Sequence, residues 1–231
     1  MSILSLLPFQ QANRSSNSIK TRNVREEKAH ICDILRPLHH ELLTRLPGAA
    51  IQLCAKKLGI SSKGVIVLDN ENEMIVLSDY CIYNFRPVRR NVVEDYLAET
   101  TPEHDSDKMK ILQAMASALY SIFEVMEVER GMGIHMRDAL FGMDVFVTDY
   151  YFSHSLIPGF LIAGRILPLP EINIFSGAAL PIDEEILEDA QQWLESRYLN
   201  GPISPEMESR LAAYIIRLAL AQGMASHVGY V

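Results

Sequence analysis

Between Tyr120 and Pro181, apolar and polar residues alternate in short bursts that Gly or Pro interrupts. The bursts are Ser121–Glu129, Gly133–Asp138, Met143–Asp149, Phe160–Leu167 and Ile172–Ser176, joined at Gly131-Met132-Gly133, Phe141-Gly142, Pro158-Gly159 and Pro168-Leu169-Pro170. A period of two marks half-buried strands. Short strands this closely spaced predict a small five-stranded antiparallel β-barrel of SH3-like or OB-like type, not an open sheet with crossover helices. In the first burst Phe123 and Val125 share one parity while Met126 and Val128 share the other, which is what a β-bulge produces. The alternation predicts that Phe123, Val125, Ile134, Val145, Val147 and Leu161 are buried. Arg165 falls on one face with Leu161, Ala163 and Leu167, so it either points inward to a partner or marks a further bulge.

The flanking segments carry helical periods. Ile31, Ile34, Leu35, Leu38, Leu42 and Leu46 form a stripe on a helix over 24–46, which Pro37 should kink or split. A shorter helix over 49–58 should stop at Gly59. Val65–Leu68 and Met74–Leu77, separated by Asp69-Asn70-Glu71-Asn72, read as a hairpin. Ser78-Asp79 would then cap a helix through Phe85, Asn91 one to Glu99, and Asp105 or Ser106 one through Leu119. Near the C-terminus, Asp183 should cap a helix to Tyr198, and Ser204 another with Pro205 in its first turn. That last helix is apolar on more than half its surface. Ile216 and Leu220 would face water on a monomer, so the pattern predicts a homodimer through this helix, with the N-terminal helices as the rival cover. The chain therefore divides into a leader (1–23), a helical region with one hairpin (24–119), the barrel (120–181) and a helical pair (182–231), an α+β fold.

At 231 residues and 48% hydrophobic, the chain can bury a sizeable core. No run of eighteen apolar residues marks a membrane span. The apolar start Met1–Phe9 lacks the basic residues of a secretory signal. Cys32, Cys54 and Cys81 are widely spaced and suit the cytoplasm. Charge is uneven: residues 1–60 hold nine Lys and Arg against four Asp and Glu, net +5, and the rest of the chain is net −13, giving −8 overall. A basic head can contact nucleic acid or pack against its own acidic body. Its cations are spread out and no aromatic residues alternate with them as a stacking platform requires, which favours packing.

Candidate chemistry is thin. Glu27 and His30 stand three apart on the first helix, as in carboxylate di-iron bundles, but no second such pair exists and no cysteines have zinc-ligand spacing, so neither metal nor cofactor is expected. No nucleophile elbow or phosphate loop occurs. Glu124, Glu127 and Glu129 read as solvated strand residues, and neither His135 nor His154 has an acidic neighbour in sequence. His135, Arg137, Arg165, Glu27 and His30 remain as candidates for a binding surface.

The barrel segment also carries a resemblance. Ser121-Ile-Phe-Glu-Val125, Met136-Arg-Asp138, Gly142, Phe146-Val-Thr-Asp149, Ser155-Leu156, Gly159 and Ala163-Gly-Arg-Ile-Leu-Pro168 resemble a module of uncharacterised bacterial proteins. Many of those carry a Cys-rich zinc motif like the one that ends the SecA translocase; this chain has no Cys-x-Cys or Cys-His ending. The resemblance implies a compact β-module of bacterial cytosolic origin and says almost nothing of activity. The expected role is a non-catalytic binding or adaptor protein contacting another protein through the barrel or the barrel–helix groove. A nucleic-acid binder using the basic head, and an enzyme of undetected type, are the alternatives.

Overall fold

The computed structural model describes residues 20–100, 106–197 and 203–227. Helices α1 (Lys20–Arg45), α2 (Ala50–Leu58), α3 (Glu71–Asn84), α4 (Val92–Glu99) and α5 (Asp107–Ser117) precede the barrel, with a two-residue ladder, β1 (Ser61–Ser62) and β2 (Val65–Ile66), between α2 and α3. The barrel holds β3 (Tyr120–Glu129), β4 (Gly133–Asp138), β5 (Asp144–Thr148), the short helix α6 (Phe152–Ser155), β6 (Leu161–Pro168), β7 (Asn173–Phe175) and β8 (Leu180–Ile182). Helices α7 (Glu184–Arg197) and α8 (Pro205–Ala221) and a 3-10 turn at Met224–His227 follow. Of the expected leader, residues 1–19 lie outside the described residues, as do Asp105 and Tyr198, and helix already begins at Lys20.

Helix starts follow side-chain chemistry. Asn70, Asn91, Ser106 and Ser204 each accept a hydrogen bond from the backbone N–H three residues on, and Asn91 with Glu94 completes a capping box. The Asn70 cap overturns the expected hairpin over 65–77. Residues 71–77 are the first two turns of α3, so Ser78 and Asp79 sit mid-helix rather than at its start. The hairpin is displaced to 61–66, where Lys63 and Gly64 adopt positive φ. Pro37 does not split α1, which runs unbroken past it. Pro37 is exposed, so water can take up the carbonyl it leaves without a donor.

In the barrel the strand order is β5-β4-β3-β6-β7, all antiparallel, and β8 pairs with β6 beyond β7. β7 and β8 thus form one fifth strand, interrupted at 176–179, where four residues oppose two on β6. The interruption rests on Gly164, whose Cβ would come within 3.1 Å of the Phe175 ring. A register shift between Val125 and Glu127 is the bulge read from the parity change, with Met126 left exposed. The barrel is nearly closed: β5 and β7 share no ladder, but Asn173 donates to the Phe146 carbonyl at 2.9 Å across the gap.

All six residues expected in the core are buried. Phe123, Val125, Ile134, Val145 and Val147 fill the barrel interior with Ile162, Ile166 and Phe175. Leu161 belongs instead to the outer face of β6, which the helices cover. Leu161 and Ala163 join a core with α2, α3, α7 and α8, whereas Leu167 joins a second core with α1, α4 and α5. Arg165 lies between the two. Of the two covers expected for Ile216 and Leu220, the chain's own core supplies one: they are 1% and 7% exposed, inside the first core. The cover comes from α2, α3, α7 and the barrel wall, and Leu43 and Leu46 at the end of α1 pack against the same core.

Candidate functional site

Two polar assemblies stand out, one buried and one open, and they share α3 and α8. The buried one is built around Arg165, 1% exposed. Its Nη1 donates to Glu208 Oε1 and to the Ala118 carbonyl, both at 3.1 Å; Nη2 donates to Asn84 Oδ1 at 2.6 Å, and Nε reaches Asp79 Oδ2 at 3.5 Å. The guanidinium carbon lies 4.5 Å from the Tyr83 ring centre and 5.7 Å from that of Tyr120. Glu208 also accepts from Asn84 Nδ2 at 2.6 Å and from the Tyr120 amide at 3.1 Å. Ser209 next to it donates to the Asn84 carbonyl at 2.9 Å. Burial works against the arginine's charge, but Glu208 and Asp79 outweigh it and hold the pKa above its ordinary value. Burial lifts the Tyr83 hydroxyl well above the usual phenol range, and the Asp79 charge adds to this. His39, within hydrogen-bond reach of that hydroxyl at 3.0 Å, is pushed down by burial and partly restored by Asp79. Asp79 Oδ1 is buried without a hydrogen-bond partner, but the side chains of the assembly are buried among β6, α3, α5 and α8 and tie these elements together.

The open assembly is a cleft of about 630 Å³ where the end of α2, the end of α3 and the middle of α8 meet. Leu53, Phe85 and Pro87 give it apolar surface; Lys56, Lys57, Arg86 and Arg217 give it charge. Local folding places each of them. α2 ends at Gly59, whose φ of +81° permits a left-handed cap that bonds back to the Ala55 and Lys56 carbonyls. The missing side chain leaves room for Arg217, whose Cγ would stand 3.3 Å from a Cβ at residue 59. Lys56 and Lys57 oppose the negative end of α2, which explains their place on that helix but not their meeting with Arg217. Arg86 is held by both oxygens of Glu94, at 2.5 and 3.0 Å, and by the Arg89 carbonyl. Among the described residues, Lys56, Lys57, Arg89, Arg90 and Arg217 take part in no ion pair.

The residues singled out from sequence do not converge. Arg165 is structural. His135 contacts Glu129 at 2.6 Å across the β3–β4 hairpin, so the acidic neighbour that its sequence surroundings lacked comes from the facing strand. Arg137 lies 3.9 Å from Asp144 on the same outer face. On α1, His30 pairs with Asp107 at 2.9 Å, while partial burial, then Glu171 and Asp107, raises the Glu27 carboxyl. No three His, Cys, Asp or Glu side chains among the described residues stand close enough to hold an ion. Three cations of the basic head face the body of the chain: Lys28 bonds Asp149 at 2.6 Å, Arg45 bonds Glu99 at 3.0 Å, and Arg25 stacks on Tyr150; Lys56 and Lys57 of the same head line the cleft instead. The sequence reading missed the cleft, although Arg86-Pro-Val-Arg-Arg90, with three cations in five residues, was a visible signal.

The chain belongs to a family of unknown function (DUF7986), whose model matches residues 23–198. No curated protein and no solved structure matches it. The match spans α1 to α7, and α8, which supplies Glu208 and Arg217, lies beyond it. Among the described residues, no helix is long and apolar enough to cross a membrane.

Proposed function

We propose that this chain is a non-catalytic binding protein that takes an acidic segment of a partner protein in the cleft between α2, α3 and α8. One observation carries the reading: cations without carboxylate partners gather at an open, partly apolar cleft on a chain of net charge −8. Such a local reversal of sign steers and selects an anionic partner.

A fluorescently labelled glutamate-rich peptide, titrated by anisotropy, tests the proposal. It should bind at low salt, weaken as salt rises, and fail to bind the Lys57→Glu/Arg217→Glu double variant. Both positions are exposed, so the fold should survive the change. Binding that is equal for the two proteins, or absent at low salt, would refute the reading. Tighter binding of a single-stranded oligonucleotide than of the peptide would move the function to nucleic acid.

A further inference from the structure

The two sides of the cleft differ, and the difference describes the ligand more closely. On the α2/α8 side, Lys56, Lys57 and Arg217 are exposed and unpaired. On the opposite side, Glu94 takes up the charge of Arg86 through two hydrogen bonds, which leaves Phe85 and Pro87 to define that wall. Leu53 completes the apolar surface at 49% exposure, and Val88, just beyond Pro87 on the loop, is 86% exposed. A purely anionic ligand would use one side only. The exposed leucine and valine would remain in water, where apolar surface is unfavourable.

From this asymmetry we infer that the cleft reads an amphipathic acidic segment, with an apolar side chain seated against Leu53, Phe85 and Pro87 and carboxylates along one flank toward Lys57 and Arg217. The inference rests on the proposed function and specifies its ligand. The carboxylates supply attraction from a distance, and the apolar anchor supplies contact that excludes water and slows release. Gly59 sets the spacing of the cationic rim, because any side chain there would press on the Arg217 stem. Nucleic acid fits less well. Phe85, the one aromatic among the described residues that line the cleft, is 8% exposed, which leaves too little of the ring open for a base to stack on.

The test compares three labelled peptides: one leucine flanked by glutamates, the same peptide with leucine replaced by alanine, and the same peptide with its glutamates replaced by glutamine. Each is titrated against the wild-type chain and against the Leu53→Ser and Arg217→Glu variants. Replacing leucine should weaken binding roughly tenfold, as loss of a partly buried leucine-sized contact would. Replacing the glutamates should abolish the salt dependence. Leu53→Ser should weaken the leucine peptide and leave the alanine peptide unchanged, since the two changes remove one contact. If the leucine and alanine peptides bind alike, or Leu53→Ser weakens both equally, the inference is overturned while the acidic-partner reading stands. If no glutamate-bearing peptide binds at low salt, that reading falls as well. An oligothymidylate that displaces the leucine peptide at equal concentration overturns both.

Discussion

Removing Glu208 should be one of the most damaging single changes in this chain. Glu208→Gln takes the nearer buried anion from Arg165 and gives the carboxamide nitrogen no acceptor in that position. Two oxygens now serve Arg165 Nη1, Asn84 Nδ2 and the Tyr120 amide. A carboxamide has one acceptor oxygen, so at least one of these donors loses its partner in a site where Glu208 is only 5% exposed. Breaking a buried ion pair by deleting one side costs about 3–5 kcal/mol. Asp79 stays at 3.5 Å and softens the loss, so the lower end of about 3 kcal/mol is expected. Arg165→Met should cost more, because it strands Glu208 and Asp79 together with no cation between them. Urea unfolding measures both, provided that the slope of stability against urea is unchanged. Arg165→Met combined with Glu208→Leu should recover part of the loss, since an apolar pair avoids the uncompensated charge. A cost below about 1 kcal/mol for Glu208→Gln, or strictly additive effects of the two substitutions, would refute the claim that these groups act as one unit.

Other outcomes follow from single contacts. Gly133→Ala should unfold the barrel or lower its melting temperature sharply, because a Cβ there would overlap the Val147 carbonyl oxygen, a backbone atom that cannot swing away. Asn70→Ala should cost about 1 kcal/mol by thermal or urea unfolding, whereas Ser78→Ala, outside any cap, should be near neutral; equal costs would contradict the placement of the α3 start. Burial holds the folded-state pKa of His39 below its ordinary 6.5, so the unfolded chain binds the extra proton first. Stability should fall as pH drops below about 6.5 and flatten beneath the folded-state pKa. His39→Gln should remove that portion of the pH dependence, and an unchanged profile would exclude His39 as its source.

The barrel was legible because its code is local. Alternation, glycine turns and one parity change placed four of the strands within a residue or two of their ends, and even located the bulge in β3. The continuation of the fifth strand at Leu180–Ile182 was not legible, since three residues carry no period and their pairing with β6 is set by the fold around Gly164. The hairpin misplaced at 65–77 shows a conflict of signals. Val65–Leu68 and Met74–Leu77 are equally apolar, and the Asn70 side chain on the Glu73 amide, with the Glu73 carboxylate back on the Asp69 amide, favours helix. For Arg165 the alternation left a partner and a further bulge as equal readings; the partner is the one found, but its acceptors stand 81 and 86 residues before it and 43 after it, distances at which sequence pattern is silent. The cleft was hidden for the same reason. Its cations are ordinary surface residues until α2, α3 and α8 bring them together.

The buried assembly and the cleft are also coupled through geometry. Asn84, bonded to Glu208 at 2.6 Å, immediately precedes Phe85 and Arg86, which form one wall of the cleft. Arg217, on the other side, lies nine residues along α8 from Glu208, about 13 Å at the helical rise. The pinning of the end of α3 to the first turn of α8 is therefore placed where it would set the width of the cleft. Ser209→Ala tests this without introducing charge. It removes the bond to the Asn84 carbonyl, leaves every cleft side chain in place, and should cost about 1 kcal/mol. If pinning sets the width, affinity for the leucine–glutamate peptide should fall several-fold while its salt dependence stays the same, because the rim charges are intact. If stability falls but affinity does not, the buried assembly serves the fold alone and the cleft is held by its own contacts, Gly59 against Arg217 and Glu94 against Arg86.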